Sequence, residues 1–153
     1  MTELSQDTIN STFLEVVEQL TFMFGEPEDK NDLDTEMVDF TLARMGYVGD
    51  LVGTLSVAVP SEITAEIAAN ILGLEAEDLT DQAMLDDALG EMLNVVCGHV
   101  IMALVGTEAN FKLKSPEVLK VDETMLVEML SSPHFVGFEL DDSPVLLGLT
   151  PEG

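Results

Sequence analysis

The sequence predicts an α+β domain in which two long helices pack on an antiparallel sheet, and three observations predict it. Two stretches carry apolar residues at helical spacing, the segments after each stretch alternate apolar and polar residues as strands do, and a hydrophobic content of 46% against 23% charge is too apolar for a disordered chain. At 153 residues the chain suits one compact domain spanning residues 1–153, a size that buries roughly 68–70% of the unfolded surface.

Over residues 8–24, Ile9, Phe13, Val16, Val17, Leu20 and Phe24 recur at helical spacing, and Gly25 and Pro27 end the run. The polar stretch 26–35 reads as a loop. Two strand-like runs follow, 37–44 and 48–59, the second alternating Leu51, Gly53, Leu55, Val57 and Val59 with small or polar residues, and Gly46 and Gly49 mark the turn between them. A second helix opens after Pro60 with Ser61 as N-cap, buries Ile63, Ile67, Ala68 and Ile71, and stops at Gly73. An acidic loop leads to Thr80 or Asp81, where the longest helix begins, running to Gly106. Strands are expected over 110–114, 118–121, 135–140 and 145–149; residues 123–130 suit a helical turn or a strand equally, and Asp141-Asp142-Ser143-Pro144 reads as a hairpin turn. Helix then strands, met twice, suggests an internal duplication in which the first helix corresponds to the longest one.

Thirty acidic residues face five basic ones, Lys30, Arg44, Lys112, Lys114 and Lys120, for a net charge of −25. Nucleic acid binding by counterion release needs clustered Lys and Arg, and anionic lipid repels such a surface, so neither nucleic acid nor membrane is an expected partner. The acidity serves solvation, with steering toward a basic patch on a protein partner as the functional alternative. The longest stretch free of formal charge, 92–107, is 16 residues and falls short of the ~20 that a membrane helix needs. No basic, then apolar, leader opens the sequence, and Cys97 is the single cysteine, which excludes an intrachain disulfide. A reducing cytoplasm is the expected compartment, with Cys97 a small buried hydrophobe.

Within the longest helix, the only polar side chains from Ala88 to Val105 are Glu91, Asn94 and His99. At 100° per residue, Asp87, Glu91, Asn94 and Gly98 share a sector of about 60°, opposite Leu85, Leu89, Met92, Val96 and Ala103. A carboxylate and a carboxamide thus stand one turn apart on a single stripe. Read from the residues alone, this is most simply the solvated face of an amphipathic helix. Two helix-interior glycines, Gly90 and Gly98, each cost about 1 kcal/mol against Ala and suggest close packing at that stripe. His99 lies about 140° from Asn94 and is expected to be a hydrogen-bonded core or boundary residue; His134, after Pro133, is a loop residue. Asp86, Asp87 and Glu91 lack both the His or Cys set of a transition-metal site and the loop of a calcium site, so no metal site is expected. The nine methionines read as core filler.

Asp87, Glu91 and Asn94, with Pro116 after 21 intervening residues, resemble the pattern Asp-x-x-x-Glu-x-x-Asn followed about 22 residues later by Pro that marks the CheC/CheX/FliY phosphatases of bacterial chemotaxis. The resemblance extends over roughly residues 8–120: Gly49-Asp50-Leu51-Val52-Gly53-Thr54-Leu55-Ser56-Val57, the Ile67-to-Gly73 run and Gly90-Glu91-Met92-Leu93-Asn94 all look like CheX segments. A single Glu-x-x-Asn pair is similar to CheX, whereas CheC-type members commonly carry two; the first helix offers Glu15-Val16-Val17-Glu18 instead. The resemblance implies the CheC/CheX fold with its internal pseudo-repeat, and dephosphorylation of an aspartyl-phosphate on a CheY-like response regulator. It implies Asn94 as the residue that orients the attacking water and Glu91 as the partner of a regulator lysine. Asp87, Gly90 and Gly98 would belong to the partner-binding face. Mg²⁺ would reside in the regulator, leaving this chain with no cofactor of its own, and the family suggests a homodimer. The competing expectation is a non-catalytic adaptor that uses the same helix to bind a response regulator or a flagellar-switch component, favoured by the one-residue shortfall before Pro116.

Overall fold

The structure, a computed structural model, describes residues 3–79 and 81–152. Helix α1 (Glu3–Thr21) is followed by strands β1 (Gly25–Glu28), β2 (Phe40–Gly49) and β3 (Gly53–Pro60) and helix α2 (Thr64–Leu72). Helix α3 (Gln82–Val105), strands β4 (Phe111–Leu113) and β5 (Glu117–Lys120), helix α4 (Glu123–Ser131) and strands β6 (Phe135–Leu140) and β7 (Ser143–Pro151) complete the chain. The sheet is antiparallel throughout, in the order β1-β6-β7-β3-β2-β4, with β5 also paired to β2. Equating β1, β2 and β3 with the β4–β5 pair, β6 and β7 reverses this order onto itself, so each half-repeat lends its first strand to the edge of the other. The duplication read from the sequence is thus visible in the topology.

Strand parity sorts the core into two layers. Ala43, Met45 and Tyr47 of β2, Leu55, Val57 and Val59 of β3, and Val145 and Leu147 of β7 face Phe13 and Val17 of α1 and Leu89, Leu93 and Val96 of α3. On the opposite face, Leu42, Ala58 and Leu146 meet Met129 and Leu126 of α4. Residues 123–130 are therefore helix, and the reason is local: Asp122 accepts a hydrogen bond from the Met125 amide at 2.8 Å as N-cap, and Met125, Leu126, Met129 and Leu130 form one apolar stripe.

Several boundaries differ from the sequence expectations. The first helix stops at Thr21, whose hydroxyl donates to the Val17 carbonyl at 2.7 Å, and Phe24 projects outward at 65% exposure. The 26–35 stretch is not all loop: β1, which contains Pro27, makes a short edge strand on β6. Strand β2 runs unbroken through Gly46 to Gly49, and the turn falls at 50–52. Ser61 does not cap α2, because a single 3₁₀ turn precedes it; its hydroxyl instead pairs with that of Thr41 at 2.7 Å. Of the two candidate starts for the long helix, Thr80 lies outside the described residues, while Asp81 is the N-cap, accepting from the Ala83 amide at 3.0 Å. Asp141 and Asp142 form the hairpin turn with φ of 48° and 68°, the left-handed pair that matches strand twist. At 24 residues α3 has the length and composition to cross a bilayer, yet half of its most apolar window is buried inside this domain.

Candidate functional site

Helix α3 buries Leu89, Met92, Leu93, Val96, Cys97, Val100 and Ile101 under α1 and the sheet, and this anchorage fixes which side chains can face outward. Asp87 and Glu91 are exposed and Asn94 is half-buried, all on the stripe turned toward the β4–β5 edge. Ala103, placed by spacing on the buried face, is exposed instead, because the helix has by then run past the partners that cover its middle.

That edge is built unusually. β4 pairs with β2 over 47–49 and β5 pairs with β2 over 41–44, so residues 111–120 form one edge strand broken at Ser115-Pro116. The break leans against α3. A Cβ added to Gly90, which is buried, would stand 3.1 Å from Cγ of Pro116, so only glycine lets the proline ring approach the helix backbone this closely. Between helix and broken strand lies a groove of about 620 Å³, with Asp86, Asp87, Gly90, Glu91 and Asn94 along one wall and Leu113 to Pro116 with Val118 along the other. The spacing shortened by one residue still delivers Pro116 to the same groove as Asn94.

The groove's polar side chains differ in whether they have partners within the domain. Asp86 accepts from the Gln82 amide nitrogen at 2.8 Å, whereas Glu91 and Asn94 have no hydrogen bond or ion pair to other side chains or backbone among the described residues. Among the described residues no group of three or more His, Cys, Asp or Glu side chains converges to hold a metal ion. A carboxylate and a carboxamide on one stripe can accept from a cation and orient a water; neither is placed to act as a nucleophile activated by a neighbouring base.

The other expected residues separate cleanly. Gly98 shares the stripe but has nothing within 4 Å of where a Cβ would sit, so the close packing expected of both glycines holds at Gly90 alone. His99 is exposed, not a core or boundary histidine. Cys97 is buried, and loss of solvation pushes its thiol from 9.0 up to about 12. In α1, Glu15 and Glu18 are exposed, but the residue before Glu15 is Leu14, whose Cδ2 lies 3.3 Å from a Cβ built on Gly25 of β1. A side chain thus occupies the space that Gly90 leaves open to Pro116 in the second half. The sequence motif identified Gly90 and Pro116 separately; their contact joins residues 26 apart and had no signal beyond the presence of a glycine within a helix.

A family model described as "Chemotaxis phosphatase CheX" matches residues 41–139, which include α3 and both segments of the broken edge strand. No curated protein matches the chain in sequence. Among solved structures, the fold is similar to the chemotaxis protein CheX of Desulfovibrio desulfuricans, at 16% identity over 97% of this chain and 99% of that one, with a TM-score of 0.70. It is also similar to CheX of Vibrio vulnificus, at 18% identity over 99% and 97% of the two chains with a TM-score of 0.69. A third similar chain belongs to the CheX-CheY-BeF3-Mg²⁺ complex of Borrelia burgdorferi, at 13% identity over 97% of each chain with a TM-score of 0.68.

Proposed function

Because the chain belongs to the CheX family of chemotaxis phosphatases, we propose that it hydrolyses the aspartyl-phosphate of a CheY-like response regulator, with Asn94 and Glu91 as the working pair. The observation that carries this reading is their placement: one turn apart, on one stripe, in a groove, with no partner among the described residues.

In this reading the Asn94 carboxamide holds a water in line with the bond from phosphorus to the regulator's aspartyl oxygen. The water oxygen bonds to phosphorus as that bond breaks, the aspartate leaves as carboxylate, and the water's protons end on phosphate and solvent. An amide suits this task because it both donates and accepts, so it can orient water without being protonated in its place. Glu91 pairs with a lysine of the regulator and sets the depth to which α3 enters. Asp87 and the open backbone at Gly98 belong to the docking face, and Gly90 shapes it through Pro116. Mg²⁺ is assigned to the regulator; the Borrelia burgdorferi CheX structure, which contains CheY, BeF3 and Mg²⁺, supports a complex of this composition. A reducing cytoplasm is the compartment in which such a partner is met, and a homodimer completes the reading, to be checked by light scattering.

The test is to charge candidate regulators with acetyl phosphate and follow the lifetime of the phosphorylated form. Shortening by the wild-type chain, lost in Asn94→Ala, supports the assignment. A chain that binds the phosphorylated regulator without shortening its lifetime is the adaptor instead.

A further inference from the structure

Helix α4 is apolar on more than the side it lays on the sheet. Met125 and Met129 join Leu42 and Ala58 in the layer beneath, while Glu123, Leu126, Val127 and Leu130, at the i, i+3, i+4, i+7 spacing of one helical face, line a groove of about 440 Å³. The segment before β2 supplies Glu36, Met37, Val38 and Asp39 to the same groove. A turn in that segment, where the Val38 amide donates to the Thr35 carbonyl at 3.4 Å, sets Met37 at a φ of 61°, a left-handed conformation that favours glycine, with its side chain wholly in solvent. Val127 is 57% exposed, and Val38, Leu126 and Leu130 are half-buried. Single apolar residues on a surface are ordinary, but these are contiguous in one groove, and contiguous apolar surface marks a site of interaction.

Charge decides what fits there. Glu36, Asp39, Asp122 and Glu123 line the groove, and among the described residues that line it none is basic. A second copy of the chain brings a net charge of −25 and an anionic membrane brings the same sign, so both are disfavoured at this groove. Apolar walls between carboxylates are complementary to an amphipathic helix whose apolar face is flanked by Lys and Arg, and an exposed methionine, unbranched and adaptable, suits a surface that moulds itself to such a helix. We propose that the groove between α4 and the 35–39 segment docks a basic amphipathic helix of a partner protein. It lies on the α4 face of the sheet, shares no residue with the groove of Glu91 and Asn94 on the α3 face, and can be filled at the same time. The proposal draws nothing from the phosphatase reading and stands or falls apart from it.

The experiment measures, by fluorescence anisotropy on the full chain, binding of a labelled synthetic peptide with Leu at i, i+3, i+4 and i+7 spacing and Lys at the flanking positions. A second peptide of the same composition in shuffled order keeps the charge and loses the apolar face. Expected is several-fold tighter binding of the first peptide, weakened several-fold by Met37→Ser and by Val127→Ser, both at exposed positions that the fold does not need. The double variant Glu36→Gln/Asp39→Asn should weaken it more at about 20 mM than at about 300 mM salt. Leu74→Ser and Glu77→Gln/Asp78→Asn make the same changes in polarity and charge at exposed positions outside the groove and should bind as wild type does. Equal binding of the shuffled peptide, or equal weakening by the outside variants, means that only overall charge is read and overturns the proposal. So does failure of both peptides to bind, or self-association of wild type that Val127→Ser abolishes, which would make a second copy the occupant.

Discussion

Pro116 rests on the bare backbone of Gly90, its Cγ 3.1 Å and its Cβ 3.4 Å from the place a methyl group would occupy. The contact ties the break in the edge strand to the centre of α3 and holds open the groove beside Asn94.

Gly90→Ala therefore sets two effects against each other. Alanine favours helix by about 1 kcal/mol, while the methyl crowds a proline that sits in an exposed turn and can yield by a few tenths of an ångström. Net stability should change by less than ~1 kcal/mol, and turnover of the phosphorylated regulator should fall because the groove wall moves. Gly90→Leu should lower both. Thermal melting beside the lifetime assay separates them, and Pro116→Ala in the Gly90→Ala background should recover part of the lost turnover, a coupling expected of residues in contact.

Asn94→Ala removes a side chain with no hydrogen bond among the described residues, so the fold should tolerate it, with a stability change of roughly 0.5 kcal/mol or less. Loss of the oriented water should slow regulator dephosphorylation on the order of 10²-fold. A variant that melts several degrees lower, or that dephosphorylates at the wild-type rate, would remove Asn94 from its assigned role.

The fold and the stripe on α3 were legible for one reason: α3 repeats its apolar spacing over many turns, and a carboxylate and an amide interrupting that pattern stand out. Short elements were less legible. β1 is four residues containing Pro27, and its strand character comes wholly from pairing with residues 137–140, over a hundred positions away. Gly46 reads locally as a turn, but its pairing with Thr54 of β3 carries it within a continuous strand. His99 was misplaced because helical spacing gives an angle around the axis, and burial also depends on which neighbours reach that angle. Gly98 was grouped with Gly90 by sequence alone, whereas only Gly90 meets another segment.

Cys97 and Tyr47 should make the protein less stable at alkaline pH. Burial raises the thiol from 9.0 to about 12, and burial together with the nearby thiolate raises the Tyr47 phenol from 10.0 to about 12. Between pH 9 and 12 the unfolded chain releases protons that the folded chain retains, so stability is full below pH 9 and declines as pH rises toward 12. Urea midpoints for wild type and Cys97→Ala should differ most near neutrality, where the variant's cavity costs stability, and converge as pH rises because the variant has lost the thiol's share of the decline. A constant gap from pH 8 to 11 would show that the thiol does not ionise differently in the two states.

Dependence on Mg²⁺ distinguishes a site completed by the partner from a self-sufficient hydrolase built on Asp86, Asp87 and Glu91. Magnesium demands near-octahedral oxygen ligation, and among the described residues these carboxylates do not converge with one another or with a histidine to supply it. The isolated chain should therefore bind Mg²⁺ no more tightly than a scattered acidic surface does, and p-nitrophenyl phosphate should survive in its presence with or without metal. A folded, Mg²⁺-loaded phosphorylated regulator should be hydrolysed, and EDTA should stop that reaction while leaving the chain's own melting temperature unchanged. Metal-dependent turnover of the small ester, abolished by Asp86→Asn, would place the chemistry on the carboxylates and deprive Asn94 of its water.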